Sequence, residues 1–390
     1  MQVKLGYSAA TSQLKNHVSQ RTLQQYEKKP QFQTASPMPY ANNIEIADRA
    51  ETLLAQIAYH LRNIRPAPNL FFQANDIVPI PDIHGDFTHL IITLHRHGLL
   101  NCELDLKKDF NYSFLGDFYN RGKDADVVDY WLNKQIGNKI NVYRISGNHE
   151  LFFLARDENG NLRFKLRDPR DGKEFPITSN DVKNDIANNY QITEELLKSI
   201  KDGNLLAAYT ALDIKNNIPI LYAHTFVTTE DEKRLGVSEE EIISFVQGAN
   251  EKFKSLGVES YKRFMDSKSR EKFDWKEIAE PLFNEPLFNI FYRDKDQRVD
   301  AFFMRVTGLN ENLKIISKIN DEIPDGVYQI VGHTRIPDFD LPNDYPTNRP
   351  LILPSKNGKA FVQFNDIGMG TYYDKDNLNR PEVVINPEVI

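Results

Sequence analysis

The chain has 390 residues, enough for one large domain with insertions or for two ordinary ones, because single cores stop growing at roughly 250 to 300 residues. Apolar residues make up 40% and charged residues 26%, with 17 Tyr and 24 Phe, a composition that excludes global disorder and predicts a soluble globular protein. A formal charge of -7 disfavours a nucleic-acid surface, and the single cysteine, Cys102, excludes an intrachain disulfide or a thiolate metal cluster and fits a reducing compartment.

The first 43 residues are rich in Gln, Ser, Lys and Pro without helical or strand period, and are expected to be a flexible arm. The N-terminus lacks the apolar segment of a signal peptide and no long apolar run follows, so the expectation is a cytoplasmic chain with no membrane span. From Ile46, apolar residues at helical spacing (Ala50, Leu53, Leu54, Ile57, Leu61, Ile64) predict an amphipathic helix that stops at "RPAP".

A rhythm then sets in. Strand-like runs at about 76–81, 110–115 and 140–146 alternate with helical runs at about 87–98 and 124–136, a step of roughly 30 residues that matches a βαβ unit. Parallel strands are implied, and open parallel sheets bind ligands at their carboxyl ends. Beyond Glu150, "DENGNLRFKLRDPRDGKEF" predicts a charged hairpin with turns at Asn159-Gly160 and Asp171-Gly172, and 181–208 reads as helix. "IPILYAHTFV" (218–227) is a buried strand. A second helical insertion follows at about 228–290, opened by a capping-box pattern of Ser238 and Glu241 and carrying Ile242, Val246, Ala249, Phe253 and Leu256 on one face. "GVYQIVGHT" and "KAFVQFNDIG" supply late strands.

Every core strand ends in metal-ligand chemistry: "PDIHGD", "FLGDFYNRG", "ISGNHE", "LYAHT" and "IVGHT". One such ending is ordinarily a turn or a hydrogen-bonded histidine; recurrence on successive strands is hard to ascribe to chance. Carboxylates, an amide oxygen and neutral imidazoles suit Mn²⁺, Zn²⁺ or Fe. Asp82 and His84 stand two apart, so an extended backbone aims both the same way, and Gly85 permits a tight turn. The remaining histidines, His17, His60, His89, His95 and His97, lie in helical or unpatterned stretches and are read as structural.

"DIHGD", "GDFYNRG" and "GNHE", in this order and spacing, resemble the GDxHG, GDxxDRG and GNHE motifs of the phosphoprotein phosphatase (PPP) family of binuclear metallophosphoesterases, over about a third of the chain. The resemblance implies an α/β fold, a metallophosphoesterase-like β-sandwich flanked by helices with helical insertions at about 156–210 and 228–290, all within a catalytic domain spanning 44–390. It implies two divalent metal ions, Mn²⁺ first with Fe or Zn as alternatives. Asp82 and His84 would bind one, Asn148, His224 and His333 the other, and Asp117 would bridge them. His149 would be the general acid, supported by Asn120, and Arg121 a phosphate ligand. A second phosphate-binding arginine is expected after an aromatic segment between the later histidines, where "NIFYRD" offers Arg293 ahead of Arg298. The implied reaction is phosphomonoester hydrolysis on proteins, at phosphotyrosine or at phosphoserine and phosphothreonine, by water acidified between two ions about 3.5 to 4 Å apart.

Three departures stand out. Pro81 replaces the Gly that opens GDxHG and removes an amide donor beside a ligand, which predicts a looser first metal. Thr225-Phe226 follow His224 where relatives carry Gly-Gly, which predicts a bulkier rim. Asn120 replaces the Asp that orients the acid histidine; an amide contributes no charge to the imidazolium. That weakness matters least for a phenol leaving group, whose pKa is about 10. The arm and the helical insertions further resemble Legionella effector phosphatases of the WipA and WipB type, which implies translocation into a host cell and host-cell protein partners. Two rival readings remain: a small-molecule phosphoesterase, such as a dinucleoside polyphosphate hydrolase, and a metal-binding pseudophosphatase. About 60 residues of helical insertion favour a larger substrate.

Overall fold

The computed structural model describes residues 44–62, 76–154, 166–167, 174–175, 190–213, 216–238, 241–270, 273–285, 287–288, 316–336, 339, 341 and 349–366. The N-terminal arm, the turns at Asn159-Gly160 and Asp171-Gly172, and both Arg293 and Arg298 lie outside them.

The expected βαβ rhythm is present. Helix α1 (Ile44–Leu61) is followed by β1 (Ile77–Ile80), α2 (Phe87–Arg96), β2 (Asn111–Phe114), α3 (Ala125–Gly137), β3 (Asn141–Ile145) and α4 (Asn148–Leu154). β1 to β3 pair in parallel and in sequence order, with Ile80 beside Phe114 and Phe114 beside Arg144. The short strands β4 (Leu166–Arg167) and β5 (Glu174–Phe175) pair antiparallel, the one described part of the predicted hairpin. Then come α5 (Tyr190–Asp202), β6 (Leu205–Leu206), β7 (Ala208–Asp213) and β8 (Ile218–Ala223). The helix expected through 208 therefore ends early. Gly203 adopts φ +76° after α5, and the chain leaves as β6, which joins the parallel sheet beside β3.

The second insertion is helical as expected, with α6 (Thr229–Leu235), α7 (Ile242–Ser269) and α8 (Trp275–Phe283). Ile242, Val246, Ala249 and Phe253 form the buried stripe of α7. Ser238 donates to Glu241 through its amide (3.0 Å) and its hydroxyl (2.8 Å), so this pair closes on itself just before the helix. In α7 a Cβ on Gly257 would collide with Ile200 of α5, so the glycine permits the close crossing of these helices. Helix α9 (Ile316–Glu322) and strands β9 (Tyr328–Val331), β10 (Leu351–Pro354) and β11 (Phe361–Phe364) complete the described chain.

Two sheets result, β1-β2-β3-β6 and β10-β11-β9-β8-β7. They face one another through Leu115, Ile145, Ile220, Tyr222 and Ile330. Tyr143 of the first sheet stacks on Tyr209 of the second at 3.9 Å between ring centroids. Period-2 alternation divides the cores: Ile220 and Tyr222 point between the sheets, whereas Leu221 and Ala223 enter the large cluster. On the other side of the first sheet, Val78, Ile80, Tyr112 and Phe114 share that large cluster with Phe87, Leu90 and Trp131 of α2 and α3. This is the expected α/β sandwich of two sheets with flanking helices. No helix among the described residues is long and apolar enough to cross a membrane.

Candidate metal centre

Sheet topology brings the polar motifs together. The loops after β1, β2 and β3 lie side by side because those strands are adjacent and parallel. β8 and β9 are also parallel neighbours, with Ala223 beside Val331, so His224 and His333 emerge together with ring centroids 4.8 Å apart.

The loops are joined backbone to backbone. His84 N donates to Asp117 O (2.7 Å), Gly85 N to Phe118 O (2.8 Å) and Gly122 N to His84 O (2.7 Å). A Cβ on Gly85 would lie 2.8 Å from Gly122 O, so only glycine allows this approach at φ +67°. Five candidate residues, His84, Asp117, Asn120, Arg121 and His333, hold positive φ between 49° and 70°. Non-glycine residues in that region are strained, and such strain concentrates at functional sites.

Tautomers follow from donor arithmetic. Nδ1 of His224 is 2.8 Å from the Leu115 carbonyl, which only accepts, so the proton sits on Nδ1 and the Nε2 lone pair faces the site. That Nε2 is 2.9 Å from Asn148 Oδ1, 3.0 Å from His333 Nδ1 and 3.4 Å from Asp117 Oδ1. His333 Nδ1 is also 3.0 Å from Asn148 Oδ1. The His224 lone pair and the Asn148 carbonyl oxygen therefore face one another as acceptors with His333 Nδ1 3.0 Å from each, an arrangement bridged either by the His333 Nδ1 proton or by a cation in its place. His84 obeys the same logic: Arg121 Nη1 donates to its Nε2 at 2.8 Å, leaving the proton on Nδ1, 3.3 Å from the Tyr119 carbonyl. That Nε2 is 3.7 Å from Asp117 Oδ2, and a cation held there would take the lone pair that now accepts from Arg121.

Asp82 completes the ring. Its Oδ2 accepts from His333 N at 2.9 Å, whereas its Oδ1 is buried without a hydrogen-bond partner. A Cβ on Gly332 would collide with that Oδ1, and one on Gly147 with Asp117 Oδ1, so glycines clear the ground around both carboxylates. Asp117 Oδ1 accepts from His149 N at 3.0 Å, and its Oδ2 is 3.8 Å from His149 Nε2. Two groups have donor atoms converging closely enough to hold a metal ion: Asp117 with His224 and His333, and Asp117 with His84 and His149. The donor set, the orphaned Asp82 oxygen and the glycine-lined cradle all fit divalent cations. Asp117 belongs to both groups. Asn148 joins the first group, and Asp82 approaches it at 3.8 Å from His224 Nδ1.

Burial makes the site unfavourable for its own charges. It holds the Asp82 carboxyl well above its ordinary range, helped by Asp366 and Asp117, and pushes Asp117 up to about 7. It pushes His224 down to about 4, and His84 and His149 well below 6.5, with Arg121 beside His84 and His84 beside His149 adding to the effect. The imidazoles are thus neutral, as metal ligands must be.

Asn120 Nδ2 is 2.7 Å from His149 Nδ1, so the predicted pair is in contact. Phe226 does not thicken the rim; it is buried against Phe364, 5.6 Å between centroids, in the cluster of Ile319 and Val331. One residue of the "GNHE" run had no role assigned from sequence. Glu150 is fully buried and accepts from the amides of Gly147 (2.6 Å), Phe118 (2.7 Å) and Asp117 (3.0 Å), which binds the loop after β2 to the loop after β3. An acidic residue next to a candidate acid in a helix's first turn was the only available signal.

No family model matches the chain. Among solved structures, it is similar to a cold-active protein-tyrosine phosphatase of a psychrophile Shewanella species, with 14% identity, a TM-score of 0.37, and 81% of this chain and 76% of that chain covered. It is also similar to a protein serine/threonine phosphatase from Saccharomyces cerevisiae with similarity to human phosphatase PP5, with 13% identity, a TM-score of 0.33, and 84% and 81% covered. Likeness at this level says nothing of what this chain acts on.

Proposed function

We propose that this protein is a metal-dependent phosphatase of the PPP type that hydrolyses phosphomonoesters on proteins. The observation that carries the reading is that donor atoms of His224 and His333 gather with Asp117 beside the Asn148 side-chain oxygen, while those of His84 and His149 gather with the same carboxylate through its other oxygen. Asp82, His84, Asp117, Asn148, His224 and His333 would hold a pair of divalent cations, Mn²⁺ or a combination with Fe or Zn. Bound there, the pair supplies Lewis acidity and a water acidified to act near neutral pH.

The chain's own groups do the rest. Arg121, whose guanidinium is next to His84, offers forked donors that match the equatorial oxygens of a phosphoryl group. His149 Nε2 faces the site, 3.8 Å from Asp117 Oδ2, and the imidazolium form, with its Nδ1–H donating to the Asn120 side-chain oxygen, would protonate the departing oxygen and return to neutral imidazole. Glu150 holds the Asp117 and Gly147 backbones so that these groups keep their spacing. Arg293 is the proposed second phosphate ligand.

A phosphopeptide array probed with Mn²⁺-loaded protein tests the reading, and the resemblance to effector phosphatases makes host-cell sequences the first to include. Dephosphorylation that falls about 10²- to 10⁴-fold in His149→Ala is the expected result. Turnover of diadenosine tetraphosphate with no phosphopeptide cleaved would overturn the substrate class.

A further inference from the structure

Behind the candidate centre is a buried polar chain that none of the assigned roles uses. Tyr119, on the loop after β2, donates its hydroxyl to Asp129 Oδ2 of α3 at 2.6 Å. The other oxygen of Asp129 pairs with Arg144 Nη2 of β3, and Arg144 Nη1 donates to Asn133 Oδ1 at 3.2 Å. Arg144 also lies over the Phe118 ring, 5.0 Å from its centroid. Tyr119, Asp129 and Arg144 are all almost wholly excluded from solvent. A buried ion pair is retained at a cost unless it does something that hydrocarbon cannot.

What it touches indicates its use. The Tyr119 carbonyl faces His84 Nδ1 at 3.3 Å, so Tyr119 orients the ring whose other nitrogen points into the centre. The next two residues are Asn120 and Arg121, at φ +69° and +70°. Two consecutive non-glycine residues in the left-handed region hold only when both flanks are fixed. Gly122 fixes one flank through its amide, shared between His84 O (2.7 Å) and Asn120 O (2.9 Å). Tyr119 fixes the other, with its ring stacked on Phe153 at 5.4 Å and its hydroxyl on Asp129.

We infer that Tyr119, anchored by the Asp129–Arg144 pair, is a positioning residue that sets His84 for cation binding and holds Asn120 and Arg121 in their strained turn. The inference rests on the two-cation reading above. It differs from that reading in assigning control of one cation site to a hydroxyl that contacts neither cation nor substrate. Outer-shell partners of ligating histidines ordinarily change metal affinity by 10- to 100-fold, so the Tyr119 hydroxyl is expected to act on one site and not on the other.

Equilibrium Mn²⁺ binding by calorimetry to Tyr119→Phe, beside Tyr112→Phe, tests it. Tyr112 is a matched control, because its buried hydroxyl donates to the Leu99 (3.2 Å) and Lys107 (3.0 Å) carbonyls away from the centre. The expected result is that Tyr119→Phe weakens one Mn²⁺ site about tenfold and leaves the other, that excess Mn²⁺ restores turnover of p-nitrophenyl phosphate, and that Tyr112→Phe binds as wild type. Should Tyr119→Phe fail to fold, Asp129→Asn, which removes the charge that anchors the tyrosine hydroxyl, is expected to weaken the same single site to a smaller extent. Unchanged binding in Tyr119→Phe, or equal weakening in both tyrosine variants, overturns the inference. A wild-type protein that binds no Mn²⁺ overturns the two-cation reading itself, an outcome distinct from either.

Discussion

The side-chain amide of Asn120 contacts Nδ1 of His149 at 2.7 Å, where a carboxylate would hold an imidazolium by charge. With an amide there, His149 keeps its orientation but gains no electrostatic support, and burial already pushes its proton affinity down. Asn120→Asp is expected to raise kcat on phosphoserine peptides about tenfold and on phosphotyrosine peptides much less, because the phenol needs less protonation to leave. Parallel kinetics on both peptides check this; equal gains would contradict it.

Glu150 is expected to be the most sensitive acidic residue outside the ligand set. Its carboxylate accepts three close amides from two loops. Glu150→Gln turns one of those oxygens into a donor facing N–H groups, and the loss is expected to be about 2 to 3 kcal/mol by urea denaturation. A change below about 0.5 kcal/mol would show that the loops hold without it.

Stability should fall with rising pH through Glu195. Burial on α5 pushes its carboxyl up to about 7 from an ordinary 4.5, although Lys198 opposes the shift. Below pH 4.5 both folded and unfolded states are protonated and the contribution is complete; above that the unfolded chain ionises first, and the contribution is lost as pH passes 7. Glu195→Gln should therefore flatten this slope and stabilise the protein at pH 8 by about 1 to 2 kcal/mol. A wild-type slope retained in the variant would remove Glu195 as its source.

Cation binding should release protons. Burial holds Asp117 at about 7 and raises Asp82 above its ordinary range, so near pH 6 Asp117 is largely protonated, and a divalent cation must displace that proton. Mn²⁺ affinity is expected to rise between pH 6 and 8, and calorimetry in two buffers of different ionisation enthalpy reads the protons directly. Chelator should lower the melting temperature in step. Affinity independent of pH would contradict the protonated starting state.

Much of the candidate centre was legible because each candidate ligand sits at a strand's carboxyl end, where polar residues interrupt an apolar run. Asp82, His84, Asp117, Asn148, His224 and His333 all lie in such interruptions, and parallel topology does the gathering. Contacts between separate elements left no local trace. Tyr119, Asp129 and Arg144 are on a loop, a helix and a strand, and only the packing of α3 on β3 brings them together. β6 was hidden for another reason: Leu205, Leu206, Ala207 and Ala208 continue a helical composition, and the turn at Gly203 was the one mark of a break. β10, four residues ending in Pro354, was too short to show a period.

Metal content of purified protein equilibrated with Mn²⁺ and passed free of unbound ion, measured by inductively coupled plasma mass spectrometry, bears most directly on whether these side chains form a cation pair. Wild type should retain two Mn²⁺ per chain, and Asp117→Asn, which removes the shared carboxylate, should retain at most one. Wild-type protein that comes through metal-free, or an Asp117→Asn variant that keeps the full complement, would contradict the account.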